Sequence, residues 1–238
     1  GIIYYNGKVK SKLDKDNDEF KNINTLLIFL DEIRDKNIID IEKKLIAINK
    51  KGVVLLEAKG IDEIIYKRNL AFSLINRYNI NILKGTKEEI NSLIALEDNE
   101  KNKNFNYRNF AKTNDCILII KDKKYYITDG YSEFYIKNKN KYFNDEEYID
   151  NIYTGVLASS IGICNNKSEI IQSVLISTLS FYIAQEASIE LFKYQFEDDI
   201  DKNDINLVNE YLLEEISKIN VDKIKSYGDV EYYFKRNR

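Results

Sequence analysis

Histidine, methionine, proline and tryptophan are all absent from the 238 residues, and cysteine occurs only as Cys116 and Cys164. The lack of histidine excludes Ser-His and Cys-His nucleophilic centres and zinc sites built on imidazole. Two cysteines are too few for a disulfide framework and do not have metal-ligand spacing. Without proline, the usual rigid turn marker, turns must be marked by glycine, asparagine and aspartate. Long apolar runs are missing too: none approaches the roughly 18 to 20 residues of a membrane span. No charged-then-apolar leader stands at the start, so a cytosolic location is expected.

Neither sign of charge dominates. The 36 basic and 39 acidic residues give a net charge of -3 and are interspersed, so no broad field favours nucleic acid or an anionic membrane. The tyrosine and basic stretches YKRN and YFKRNR lack the spacing of a base-stacking platform, and a nucleic-acid partner is not expected. The length suits a single α/β domain over 1–238 with a large core, closing in a loose basic tail at 230–238.

Strand-like and helix-like segments alternate through the first half. TLLIFL (25–30), VVLLE (53–57) and NINILK (79–84) read as buried strands. Between and after them, IIDIEKKLIAINKK (38–51), IDEIIYKRNLAFSLINRY (61–78) and TKEEINSLIALE (86–97) carry helical periodicity, which predicts parallel crossover units. The polar EDNEKNKNFNYRN (97–109) reads as a loop. After it CILIIK, YYIT and YSEFYIK, joined by KDKK and DG, predict a small antiparallel meander at the sheet edge. A long central helix is expected from Ser168 to about Lys193, and a last helix over DINLVNEYLLEEISKI, capped by Asn203 or Asp204.

Thr86 and Glu89 form T-x-x-E just after a strand and Gly85, the pattern of a capping box. A helix N-terminus at the end of a sheet strand is also where phosphates bind in open α/β sheets, so both a structural and a phosphate-binding role stay open.

A series of segments, in order, resembles the hydroxyethylthiazole kinases of the ribokinase-like superfamily. ILKGTKEEI is similar to V-I-R-G-N-A-S-E-I, and KGVVLLEAKG to G-x-P-V-V-L-D-P-V-G. IIKDKKYYITDG is similar to V-V-T-G-x-x-D-Y-V-T-D-G, and YTGVLASSIG to T-G-T-G-C-x-L-S-A-x-I-G. Glycines 52, 60, 85, 130, 155 and 162 fall on family glycines. The resemblance implies a ribokinase-like α/β fold, a mostly parallel sheet flanked by helices with a small antiparallel edge, assembled as a trimer. It also implies transfer of the ATP γ-phosphate, with magnesium, to the alcohol of a small molecule, a thiazole in thiamine salvage.

Carried over residue by residue, Glu89 and Glu57 would serve magnesium. Lys84 stands for a nucleotide-contacting arginine and Thr86 for the family asparagine, while Lys121-Asp122, in place of the family T-G, would either form a local salt bridge in a hairpin or offer the charge of Lys121 to phosphate. Thr154 and Gly155 would form the anion hole, with the Gly85 and Gly155 turns around one phosphate position. The acid-base position falls on Gly155 or Val156, neither of which takes a proton, so the base is unassigned. Asp150 and Glu147, in what reads as the preceding loop, are candidates to approach it; a solvated role is the simpler expectation. The N-terminal part diverges from the family's acceptor segment, with IIYY reading as a core strand. The alternative to a kinase is a catalytically inactive homologue acting in ligand sensing or oligomeric assembly.

Overall fold

A computed structural model of the chain describes residues 2–5, 24–48, 52–95, 103–137, 147–196 and 204–234. Its strands form one sheet of eight in sequential order. β1 (Ile2–Tyr5), β2 (Thr25–Phe29), β3 (Val53–Glu57), β4 (Ile82–Thr86) and β5 (Ile117–Lys121) run parallel. β6 (Lys124–Thr128), β7 (Ser132–Lys137) and β8 (Val230–Phe234) extend it antiparallel. β2 and β3 are buried along their whole length, which is why they read as unbroken apolar runs rather than as alternation.

Helices cover both faces. On one, Leu55, Ile82 and Ile119 pack with Tyr153 and Leu157 of α5 (Glu147–Ile161), Phe181 of α6 (Lys167–Phe196) and Leu212 of α7 (Ile205–Ser217). On the other, Leu56, Leu83 and Leu118 pack with Leu45 of α1 (Asp35–Ile48), Leu74 of α2 (Ile65–Arg77), Ile90 of α3 (Lys87–Ile94) and Tyr107 of α4 (Lys103–Thr113). The short α8 (Val221–Tyr227) leads into β8. Side chains alternate along a strand, so Glu57, Lys84 and Lys121 share the face of Leu55, Ile82 and Ile119 and lie beneath α5. That alternation gathers three charged side chains at the carboxyl ends of three neighbouring strands.

The structure departs from the sequence expectations in four places. The expected loop over 97–109 contains the start of α4; residues 97–102 lie outside the described part. α4 owes its order to tertiary contacts: Tyr107 and Ala111 are buried, Tyr107 bonds to Asn91, and Arg108 pairs with Glu133. The expected loose tail at 230–238 supplies β8 over Val230–Phe234, paired with β7, while 235–238 lie outside the described residues. Asp204 takes the N-cap position of α7 without a side-chain capping bond, and Asn203 is outside the described part. The segment taken as an anion-hole turn before a helix, YTGVLASSIG, is helical, with α5 already begun at Glu147.

Candidate functional site

Glu57 and Lys84 face each other across β3 and β4, in direct register. Lys84 Nζ lies 2.6 Å from Glu57 Oε1 and 2.7 Å from Asp150 Oδ2, which comes down from the first turn of α5. Lys121 Nζ, from the end of β5, reaches the other oxygen of Asp150 at 3.4 Å. The Thr154 hydroxyl, one helical turn beyond Asp150, is 3.1 Å from Glu57 Oε2 and 2.9 Å from the Asp150 carbonyl. The Tyr153 ring lies 5.4 Å from the ammonium of Lys84, within cation–π range. Tyr153 is itself fixed, edge-on to Tyr125 and with its hydroxyl 2.8 Å from Thr178 Oγ1.

The result is a charge-balanced group, two lysines against two carboxylates, over an aromatic floor. The Lys84 side chain is 1% exposed and that of Asp150 23%. An ammonium so buried is tolerated when it is paired and hydrogen-bonded. Burial alone would lower the pKa of Lys84, but Asp150 and Glu57 overcome this and raise it above the usual lysine value. Burial raises the Glu57 pKa to about 7 against the opposing pull of Lys84. For Asp150 burial acts upward too, yet the two lysines win and hold its carboxyl below the usual range.

A second constellation lies at the next turn of the same edge. Both halves of the expected capping box are present: Glu89 N–H donates to Thr86 Oγ1 at 3.2 Å and Thr86 N–H donates to Glu89 Oε2 at 2.7 Å. Glu89 Oε1 also accepts from Gly60 N–H at 2.8 Å, tying the loop after β3 to the start of α3. Gly60 has a positive φ of 72°, a conformation that favours glycine. At Gly85 a Cβ would come within 3.1 Å of both Ala58 Cβ and Glu89 Oε2, so β4 approaches this loop closely where it has no side chain.

Of the residues singled out in the sequence, Glu57, Lys84, Lys121 and Thr154 are therefore brought together, while Thr86 and Glu89 form the neighbouring cap. Thr154 and Gly155 are a correction. They lie two turns inside α5, where backbone N–H groups bond to the preceding turn, so the free-amide turn implied by the resemblance is not present. Gly85 belongs to β4, paired with Ile120, and so does not form a phosphate-cradling turn with Gly155. The carboxylates do not fit a bound magnesium in this arrangement. Glu57 is occupied by an ammonium, both oxygens of Glu89 accept backbone N–H groups, and no group of three or more Asp, Glu, Cys or His suited to a metal occurs among the described residues.

Asp150 is the residue that the sequence undervalued. The signal was the spacing Ile149, Tyr153, Leu157, Ile161, all buried, which marks one face of a helix over 147–161 and carries Asp150 and Thr154 with it.

No protein-family model and no curated protein matches the chain. Solved structures do. The chain is similar in structure to hydroxyethylthiazole kinase from Pyrococcus horikoshii OT3, with a TM-score of 0.70 at 14% identity over 91% of this chain and 80% of that one. It is similar to a putative sugar kinase from Clostridium perfringens, with a TM-score of 0.54 at 12% identity over 96% of this chain and 64% of that one. The fructokinase of Vibrio cholerae O395 in its fructose, ADP and calcium ion bound form gives a TM-score of 0.52 at 12% identity, over 67% of this chain and 54% of that one. The layered α/β sandwich described above is the ribokinase-like fold.

Proposed function

We propose that this protein transfers a phosphoryl group from ATP to the hydroxyl of a small molecule, in the manner of the hydroxyethylthiazole kinases that it resembles. One observation carries the proposal: Lys84 and Lys121, from the neighbouring parallel strands β4 and β5, converge on a single anionic group at the carboxyl edge of the sheet. Phosphates bind at that edge in open α/β sheets. Phosphoryl transfer through a loose transition state asks mainly for positioning and charge neutralisation. Lys84, whose ammonium form is favoured by the carboxylates around it, and Lys121 would neutralise the transferring group, with Thr86 and the α3 N-terminus next to them. A thiazole alcohol is the acceptor favoured by the resemblance, and a trimeric assembly and a cytosolic location go with it.

A catalytically silent scaffold is the second reading. Two observations favour it: the amides of Thr154 and Gly155 are inside a helix, and the charges of the site already balance. Calorimetric titration with ATP, with and without magnesium, separates the two. Binding at or below millimolar nucleotide, lost in Lys84→Met and Lys121→Ala, with ADP released in the presence of hydroxyethylthiazole or another small alcohol, supports the kinase. No heat at millimolar nucleotide supports the scaffold.

A further inference from the structure

We propose that the Asp150 carboxylate occupies the seat of a phosphoryl group, and that phosphate-bearing ligands bind by displacing that partly exposed side chain from between Lys84 and Lys121. The inference rests on the phosphate-binding half of the function proposed above.

The geometry of the seat is that of an anion site already filled. One oxygen of Asp150 is taken by Lys84 at 2.7 Å and the other by Lys121 at 3.4 Å, two cations from adjacent strands. The remaining shell of Lys84 is closed: Glu57, Tyr153 and Thr154 are all buried. Asp150 is the partly exposed member of that shell, so an incoming anion reaches the ammonium from the side where Asp150 stands. While Asp150 and an ionised Glu57 are both in place the group is neutral. Once Asp150 leaves, two lysines face Glu57 alone and the seat is net positive, the electrostatic condition for taking up a phosphate in its place.

Inorganic pyrophosphate is the probe, with thermal unfolding and calorimetric binding of the full chain as readouts. Asp150→Asn removes the internal anion. This variant is expected to melt lower than the parent without added anion, to gain more from millimolar pyrophosphate, and to bind it about tenfold more tightly or better. Lys121→Ala, at a partly exposed position, keeps the Lys84–Asp150 pair and removes one cation of the seat; it is expected to bind pyrophosphate at least about tenfold more weakly than the parent. Equal responses of parent and Asp150→Asn, whether both bind or neither does, overturn the proposal, and so does unchanged pyrophosphate binding in Lys121→Ala. ATP turnover by the parent together with equal pyrophosphate responses would sink this inference and leave the kinase standing. Rescue of Asp150→Asn without any turnover would do the reverse.

Discussion

Lys84 and Asp150 meet at 2.7 Å although 66 positions separate them in the chain, one on a buried parallel strand and the other in the first turn of a helix. The contact ties α5 to the carboxyl edge of the sheet. It also makes Lys84 a shared partner, since Glu57 holds the same ammonium from the neighbouring strand. Both the stability and the chemistry of the site depend on how that sharing responds to change.

Removing the shared cation leaves Glu57 buried without its ammonium and Asp150 paired with Lys121 alone. Lys84→Met is expected to lose about 3–5 kcal/mol of stability at pH 8, the cost of breaking a buried ion pair from one side. Adding Glu57→Leu to that variant should return much of the loss, because the remaining buried charge is removed with its partner. Urea denaturation of the single and double variants measures both, and a loss below about 1 kcal/mol in Lys84→Met would contradict the role given to this group.

The raised pKa of Glu57 makes stability depend on pH with a definite sign. Burial moves it from an ordinary 4.5 to about 7, so the folded state holds a proton that the unfolded state releases. The stabilisation is complete below about 4.5 and is lost as pH rises through 7. A protonated Glu57 also suits its surroundings: it can donate to Thr154 Oγ1, whose own proton then goes to the Asp150 carbonyl. The melting temperature should therefore fall between pH 5 and pH 8, and Glu57→Gln should flatten that slope. Asp150, depressed instead of raised, contributes in the opposite sense only at the acid end. An unchanged slope in Glu57→Gln would assign the pH dependence elsewhere.

The capping constellation gives a graded pair. Thr86→Ala removes one acceptor at the start of α3 and is expected to cost about 1 kcal/mol. Glu89→Gln weakens two bonds at once, those from Thr86 N–H and Gly60 N–H, and should cost more, about 1–3 kcal/mol. Equal losses in the two variants would mean that the link to Gly60 contributes nothing.

Gly155→Ala should raise stability by up to about 1 kcal/mol, the usual gain of alanine over glycine in a helix interior, because the position has room for the methyl group. Destabilisation would show that residue 155 is not helical in solution. That outcome would restore the turn implied by the resemblance.

Parts of this architecture were legible because they are local. The run Val53–Glu57 reads as a buried strand from its composition alone, and T-x-x-E announced a capping box that is present in both halves. The parts that were not legible depend on distant partners. α4 is polar and rich in asparagine; what orders it is Tyr107 against Asn91 and Arg108 against Glu133. β8 exists because β7 offers it an edge: the Val, Tyr and Phe of VEYYF favour a strand, but exposed Tyr232 and Tyr233 beside charged residues gave no sign of what the strand would pair with. Asp150 was hidden by the same cause. Its meaning comes from Lys84 and Lys121 on other strands, and the neighbouring Thr154-Gly155 drew attention to a turn where the chain makes a helix.

A crystal structure with a non-hydrolysable ATP analogue tests the central claim most directly. The expected result is a phosphate between Lys84 Nζ and Lys121 Nζ, with the Asp150 carboxylate moved out of that position. Nucleotide bound elsewhere, or a chain that excludes it while the Lys84–Asp150 contact stays intact, would contradict the assignment of this site to phosphoryl transfer.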